Sequence, residues 1–421
     1  MTLTQWKSKS LGYILEKIVG GGTPSKANPQ YWDGDIPWAS VKDLSSTKLD
    51  DTADKISKKG LNNSASNLIP AETIVIPTRM ALGKVAITTQ AMAINQDLKA
   101  LFPSKEVCKS YLFQWLIFHA EQIASLGSGS TVKGIRLEQL KKIPFSYPTL
   151  KEEQQKIAEI LSTVDKKIDL IDQKIAETEK LKTGLMQKLF SEGVGVQDEN
   201  GEWHTHTEFH SIKNVTLPVG WKLDNLGTLL EKIVGGGTPS KAKPEYWGGS
   251  IPWASVKDFK KPWLSSDCIM DTITNEGLKN SSANLIEPDV VVIPTRMALG
   301  KVAMTKGSIA INQDLKALYP KNIIDNLFLF YWLQHQASKI ESLGSGSTVA
   351  GIRLEILKSI DCLYPESISE QKQISRILKC TDSKIDLLIE QKVATQKLKK
   401  GLMQKLLTGE WRIPVEETEA A

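Results

Sequence analysis

The chain has 421 residues, 41% hydrophobic and 24% charged, with a formal net charge of +5, which is enough for more than one buried core and for two to four domains. Its four cysteines, Cys108, Cys268, Cys362 and Cys380, stand far apart with no C-x-x-C spacing, which argues against a disulfide framework or a zinc ribbon and for a reducing, cytoplasmic setting. No apolar run is long enough for a signal peptide or a membrane span, so no membrane association is expected.

The excess charge is uneven, about +6 over residues 1–150 and about +2 over 219–365, a modest basic bias that fits a polyanionic partner without requiring one.

Along the chain, the first segment returns as a second. Residues 11–44, LGYILEKIVGGGTPSKANPQYWDGDIPWASVKDL, reappear at 226–259 as LGTLLEKIVGGGTPSKAKPEYWGGSIPWASVKDF, with about four positions in five identical; a unit this long is a duplicated half and not a solenoid repeat. NLIPAETIVIPTRMALGKVAITTQAMAINQDLKAL from Asn67 is matched from Asn284, and SLGSGSTVKGIRLEQL from Ser125 is matched from Ser342. Each copy opens with a mixed segment, residues 1–148 and 219–365, where Gly/Pro clusters punctuate short β-branched runs such as Thr73–Ile76 and Val290–Ile293, the pattern of short strands joined by ordered loops. A helix is expected to close each segment, over Ser110–Ala124 and Asn326–Glu341, with its aromatic face in the core; Trp38 and Trp253 are also read as core.

A long helix follows each segment, over residues 149–190 and 366–410. Ile157, Leu161, Val164, Ile168, Ile171 and Ile175 step by 4 and 3, as do Ile374, Leu378, Thr381, Ile385 and Leu388, which is a coiled-coil seam. Leu181, Leu185 and Leu189, with Leu398, Leu402 and Leu406, continue the stripe after a break near Thr178 and Thr395. Neither helix can bury its seam alone, so antiparallel pairing of the two is the economical arrangement, with the mixed domains at opposite ends. Residues 191–218 read as a polar, solvated linker, and 411–421 as a tail. The linker's His204, His206 and His210, beside Glu202 and Glu208, match no zinc spacing, and no metal is assigned.

These strings resemble the specificity subunits of type I restriction-modification systems over nearly the whole chain. The resemblance rests on G-G-G-T-P-S at Gly20–Ser25, Y-W-x-G-x-I-P-W at Tyr31–Trp38, the G-S-T loop ending at Thr131, the E-Q-Q-K-I helix start at Glu153 and G-L-M-Q-K-L-F at Gly184, each with a counterpart in the second copy in the same order. It implies an α+β fold of two target recognition domains alternating with two long helices in an antiparallel coiled coil of pseudo-two-fold symmetry. It also implies a non-catalytic subunit that reads a bipartite site on double-stranded DNA and holds two methyltransferase subunits, with two motor-nuclease subunits joining for restriction. S-adenosylmethionine, Mg²⁺ and ATP would belong to those partners. In agreement, the sequence has no Walker loop, no Asn-Pro-Pro-aromatic motif and no acidic nuclease cluster.

Arginine and lysine reach guanine edges or phosphates, whereas Asn and Gln offer the donor and acceptor pair that suits adenine. The DNA-contacting candidates are Ser25, Lys26, Ser40, Lys42, Arg79, Met80, Lys84, Asn95, Gln96, Ser130, Thr131 and Arg136, with their duplicates Ser240, Lys241, Ser255, Lys257, Arg296, Met297, Lys301, Asn312, Gln313, Ser347, Thr348 and Arg353. Arg79 and Arg296 are assigned to base edges, and Lys84 and Lys301 to phosphates. The alternatives are that Asp97 holds Arg79 in an internal ion pair, that Asn95 and Gln96 brace a turn, and that the loop hydroxyls only support the backbone. Partner contacts are placed at Leu185, Met186, Leu189, Leu402, Met403 and Leu406, which could equally be the last turns of the coil. If both copies read alike, the site is an inverted repeat with a spacer of about five to eight pairs; the diverged stretch, Ser45–Asp54 against Lys260–Asp271, is where a reading loop would make the halves unequal. The rival functions are a protein-only coiled-coil adaptor and a fused restriction or methylation enzyme.

Overall fold

The computed structural model describes residues 5–129, 133–345 and 350–414. The chain forms two compact units: Met1–Gln173 with Ile389–Ala421, and Lys174–Leu388. Each unit therefore joins one mixed segment to part of both long helices.

In the first unit the mixed segment holds a five-stranded sheet in the order Leu15–Gly20, Leu98–Pro103, Ile74–Pro77, Ala86–Thr88, Lys48–Leu49. It also holds a four-stranded sheet in the order Asp54–Ile56, Ile36–Ala39, Met92–Ile94, Asn67–Ile69. Trp6–Ser10 pairs antiparallel with Pro144–Pro148 and ties the two ends of the segment together. The second unit repeats this strand for strand: Leu230–Gly235, Leu315–Pro320, Val291–Pro294, Ala303–Thr305, Trp263–Leu264 in one sheet, and Asp271–Ile273, Trp247–Ala254, Ile309–Ile311, Asn284–Ile286 in the other. The central runs Ile74–Pro77 and Val291–Pro294 are buried along their whole length, as continuous β-branched strands covered on both faces should be.

The closing helix is in two pieces in each copy, Lys109–Phe118 then Ala120–Ser125, and Asn326–His335 then Ala337–Ser342. Tyr111, Trp115, Phe328, Phe330 and Trp332 are buried, as the aromatic stripe predicts.

The long helices span Lys151–Leu189 and Ile368–Leu407. Gln154, fully buried, accepts from the Cys108 amide and donates to the Glu106 and Pro148 carbonyls, clamping the mixed segment to the helix start; Gln371 does the same with Asp325, Ile323 and Pro365. In the first unit Asp172 meets Lys392 and Asp165 meets Lys399, both at 2.6 Å. One partner number rises as the other falls, so these helix portions run antiparallel there. In the second unit Lys182 meets Asp382 at 2.6 Å, the duplicate of the Lys399–Asp165 pair with the roles of the two copies exchanged.

One expectation needs correction. The apolar stripe does not continue through Leu181 and Leu398, which are exposed; Thr178 and Thr395 are buried instead. The 4–3 rhythm is unbroken through Ile171, Ile175, Thr178, Lys182, Leu185 and Leu189, with the lysine satisfied by Asp382, so a polar residue in the seam was misread as a break. Residues 191–218 are largely exposed, as a linker should be, but they are ordered. They form two hairpins, Val196–Gln197 with Trp203–His204 and Phe209–Ile212 with Val215–Pro218. The buried Glu370 carboxylate anchors the segment, accepting from the Val194 and Gly195 amides, the His206 ring and the Trp221 indole. Its duplicate Glu153 holds Arg412 and the Ile413 amide in the first unit. No helix among the described residues is long and apolar enough to cross a membrane.

Candidate nucleic-acid interface

The G-G-G-T-P-S segment lies against the turn that follows Met92–Ile94. A Cβ at Gly21 would sit 1.8 Å from the Ile94 carbonyl oxygen and one at Gly22 2.6 Å from Ala65; Gly236 and Gly237 are equally confined by Ile311 and Ser282. Glycine is required here for close approach. The approach is fixed by bonds from the Gly22 amide to Ile94 and the Gly237 amide to Ile311, and it brings Thr23 to Gln96 and Thr238 to Gln313, hydroxyl to amide oxygen, at 2.6 and 2.5 Å.

The turn carrying the glutamine is braced from within. Asn95 Oδ1 accepts from the Asp97 and Leu98 amides, and Lys99 Nζ donates to the Gln96 carbonyl; Asn312 and Lys316 repeat the Asp314 amide and Gln313 carbonyl contacts. Burial lowers the Lys99 and Lys316 pKa values, opposed by the carboxylates of Asp97 and Asp314. Asn95 and Asn312 are buried and brace the turn, the alternative that the sequence left open for them, whereas Gln96 and Gln313 are exposed at its tip.

In the second unit a cleft of about 690 Å³ is lined by Thr238, Lys241, Trp247, Trp253, Ser255, Lys257, Asp271, Asn312 and Gln313. Five of these are candidates from the sequence, and the cleft brings them together. The counterparts in the first copy are Thr23, Lys26, Trp32, Trp38, Ser40, Lys42, Asp54, Asn95 and Gln96, identical at every position; there a cavity of about 450 Å³ is lined by Lys26, Pro29, Trp32, Asp33 and Asp54. The tryptophans pack edge to face in both copies, at 5.0 and 5.2 Å. Trp38 and Trp253 are buried and donate to the Gly22 and Gly237 carbonyls, while Trp32 and Trp247 donate to the carbonyls of Ser25 and Ser240. Lys26 lies 6.0 Å from the Trp32 ring centre, and Lys257 pairs with Asp271 at 2.6 Å, which raises its pKa. Ser40 and Ser255 bond Asp43 and Asp258, capping short helical turns.

Beside the turn lies R-M-A-L-G-K. Met80 and Ala81, with Met297 and Ala298, have φ of 55°, 36°, 56° and 39°, consecutive left-handed non-glycine residues that cost about 1–3 kcal/mol each and concentrate at functional sites. The Met80 amide donates to Lys133 and the Ile135 amide to Thr78, joining this loop to the stretch leading to Arg136; Met297, Ala350 and Ile352 repeat the pattern toward Arg353. Arg79 stands 3.8 Å from Asp97 and Arg296 3.9 Å from Asp314, with both guanidinium groups largely exposed. At that distance the pair is ionic without a hydrogen bond, so the guanidinium donors stay open to a ligand. Met80, Met297, Arg136 and Arg353 are exposed.

Lys84 and Lys301 are not on the cleft; their ammonium groups donate to the Leu44 and Phe259 carbonyls at 2.7 and 3.1 Å. Ser130, Thr131, Ser347 and Thr348 lie outside the described residues. The helix-end candidates are corrected: Leu189, Met403 and Leu406 are buried in the cores of their units, and Leu185, Met186 and Leu402 pack against those cores. Thr23 and Thr238 escaped the sequence reading because a threonine beside a proline announces no partner 73 residues away.

The arrangement matches known proteins. The model of the type I restriction modification DNA specificity domain matches residues 4–180 and again 218–395. The chain belongs to the type I restriction-modification specificity-subunit family. Among its relatives, the putative type I restriction enzyme MjaX specificity subunit of Methanocaldococcus jannaschii is 28% identical over 97% of this chain and 94% of its own length. The EcoR124I/EcoR124II specificity subunit of Escherichia coli is 35% identical over 38% of this chain and 41% of its own. Among solved structures, the S subunit from M. genitalium superposes with a TM-score of 0.59 at 18% identity, covering 98% of this chain and 97% of that one. As a specificity subunit, the chain carries two recognition domains, and its duplicated clefts are one per domain.

Proposed function

We propose that this specificity subunit is a non-catalytic cytoplasmic scaffold whose two clefts each read one half of an inverted-repeat DNA site. The observation that carries this reading is that all nine positions lining the second unit's cleft are identical in the first copy, with Asp33 of the first unit's cavity, Gly248 in the second copy, as the one difference, since like surfaces recognise like bases and two-fold related readers meet opposite strands. In the diverged stretch, one residue of each copy packs away from the cleft. Lys48 pairs with Asp169 on the first long helix, and Trp263 stacks on Phe330 at 5.2 Å. Only Asp54 and Asp271 from that stretch reach the cleft, and they are the same residue.

The reciprocal pairs Lys182–Asp382 and Lys399–Asp165 support an antiparallel coiled coil with pseudo-two-fold symmetry, its length setting the non-specific spacer. Two methyltransferase subunits dock on its outer faces and two motor-nuclease subunits join them, bringing S-adenosylmethionine, Mg²⁺ and ATP. The test is co-expression with a cognate methyltransferase and single-molecule sequencing of modified adenines. One bipartite motif with matching halves is expected; two unrelated halves would refute identical reading.

A further inference from the structure

Gln96 and Gln313 stand at the tip of a turn that an asparagine and a lysine side chain hold still, yet a glutamine amide can still rotate about its last bond and present either its oxygen or its nitrogen. The orientation of that amide decides which bases it accepts, because the oxygen and nitrogen together match adenine N6 and N7, whereas the nitrogen alone is a donor. In this chain the choice is made by neighbours. Thr23 donates its hydroxyl to Gln96 Oε1 at 2.6 Å, and Gln96 Nε2 faces Asp97 Oδ2 at 3.4 Å. A flipped amide would set its oxygen against that carboxylate, so the nitrogen belongs on the Asp97 side. In the second copy Thr238 holds Gln313 Oε1 in the same way, and both residues line the cleft.

We infer that Thr23 and Thr238 are positioning residues for base recognition: by taking one of the two Oε1 lone pairs and fixing the sense of the amide, they leave Gln96 and Gln313 presenting chiefly Nε2 as a donor, which favours a base edge rich in acceptors, guanine O6 and N7 or thymine O4, over adenine. This rests on the reading of the cleft as a DNA-reading surface. It reverses the simple expectation that glutamine selects adenine, and it explains why a G-G-G-T segment, whose glycines are confined by backbone, is held so tightly against the turn in both copies.

The test is Thr23→Val and Thr238→Val, which keep the branched shape and remove the hydroxyl, with Thr23→Ser and Thr238→Ser as hydroxyl-retaining controls. Each variant is co-expressed with the methyltransferase, and modified adenines are read by single-molecule sequencing. Thr23→Val is expected to admit adenine at one position of one half-site, with discrimination there falling about tenfold or more, the worth of one good contact. Thr238→Val does so in the other half-site only, and the serine variants keep the original motif. An unchanged motif in both valine variants, or an even loss of methylation with no change of motif, overturns the inference while leaving the clefts as readers. A wild-type chain that directs methylation to no bipartite motif overturns the DNA-reading function and this inference with it.

Discussion

His119 stacks on Trp115 with ring centres 3.8 Å apart, and His335 stacks on Phe190 at 5.1 Å. Burial holds both imidazoles below the usual histidine value, for His119 against a raising contact from the Trp115 carbonyl. The folded chain thus favours the neutral rings, while the unfolded chain protonates them near pH 6.5. Stability from this source is complete above about pH 6.5 and declines as pH falls toward the lower folded value, since the unfolded state then binds more protons. The duplication supplies the control substitutions: Gln336 is the counterpart of His119, and Phe118 that of His335. A chain with His119→Gln and His335→Phe is expected to lose less stability between pH 7 and pH 5 than the wild type in denaturant titrations; an equal loss would assign the acid sensitivity to other groups. At this scale the sequence is unevenly legible. Residue type and exposure sufficed to nominate Gln96, Lys257 and Arg79, but that Asn95 supports the turn, that Lys84 caps the Leu44 carbonyl and that Thr23 orients Gln96 depends on partners distant in sequence.

Periodicity made the long helices legible to within three residues at either end, because an apolar repeat over ten turns has no strand-like alternative. It failed where a threonine and a lysine occupied the seam. Once Thr178 and Lys182 are recognised as seam residues, the remaining leucines change role: Leu170 and Leu398 of the first unit, and Leu181 and Leu387 of the second, are 54–65% exposed. Each unit thus shows one bare leucine from each long helix. A single exposed leucine is ordinary on a protein surface, but these four lie on the helices proposed to carry the partners and remain accessible, so they replace Met403 and its neighbours as the contacts to test. Leu181→Glu with Leu398→Glu should weaken methyltransferase co-purification by tenfold or more with little change in melting temperature. Met403→Ala should instead lower stability by about 2–5 kcal/mol, the usual cost of truncating a buried side chain. Unaltered co-purification of the leucine variant would move the docking surface off the helices.

For the molecule as a whole, duplication was the strongest signal in the sequence, and it correctly forecast two copies of one strand order. It suggested antiparallel pairing of the helices but could not show which residues meet, since that depends on contacts between residues 200 or more positions apart. If the clefts read alike, the recognition segments are interchangeable. Replacing residues 219–365 with the corresponding first-copy segment, 4–148, is expected to leave the methylation motif unchanged; a new half-site would assign reading to the diverged loops. The division of the chain also sets an order of events during synthesis. The second unit, Lys174–Leu388, is one continuous stretch, whereas the first needs residues from 389 onward, including Met403, Leu406 and Leu407 in its core. On the ribosome the first recognition segment therefore emerges first and is completed last. It waits without Met403, Leu406 and Leu407 in its core while the later unit closes, and that interval is when the nascent chain is most exposed to chaperones and to misassembly with its neighbours.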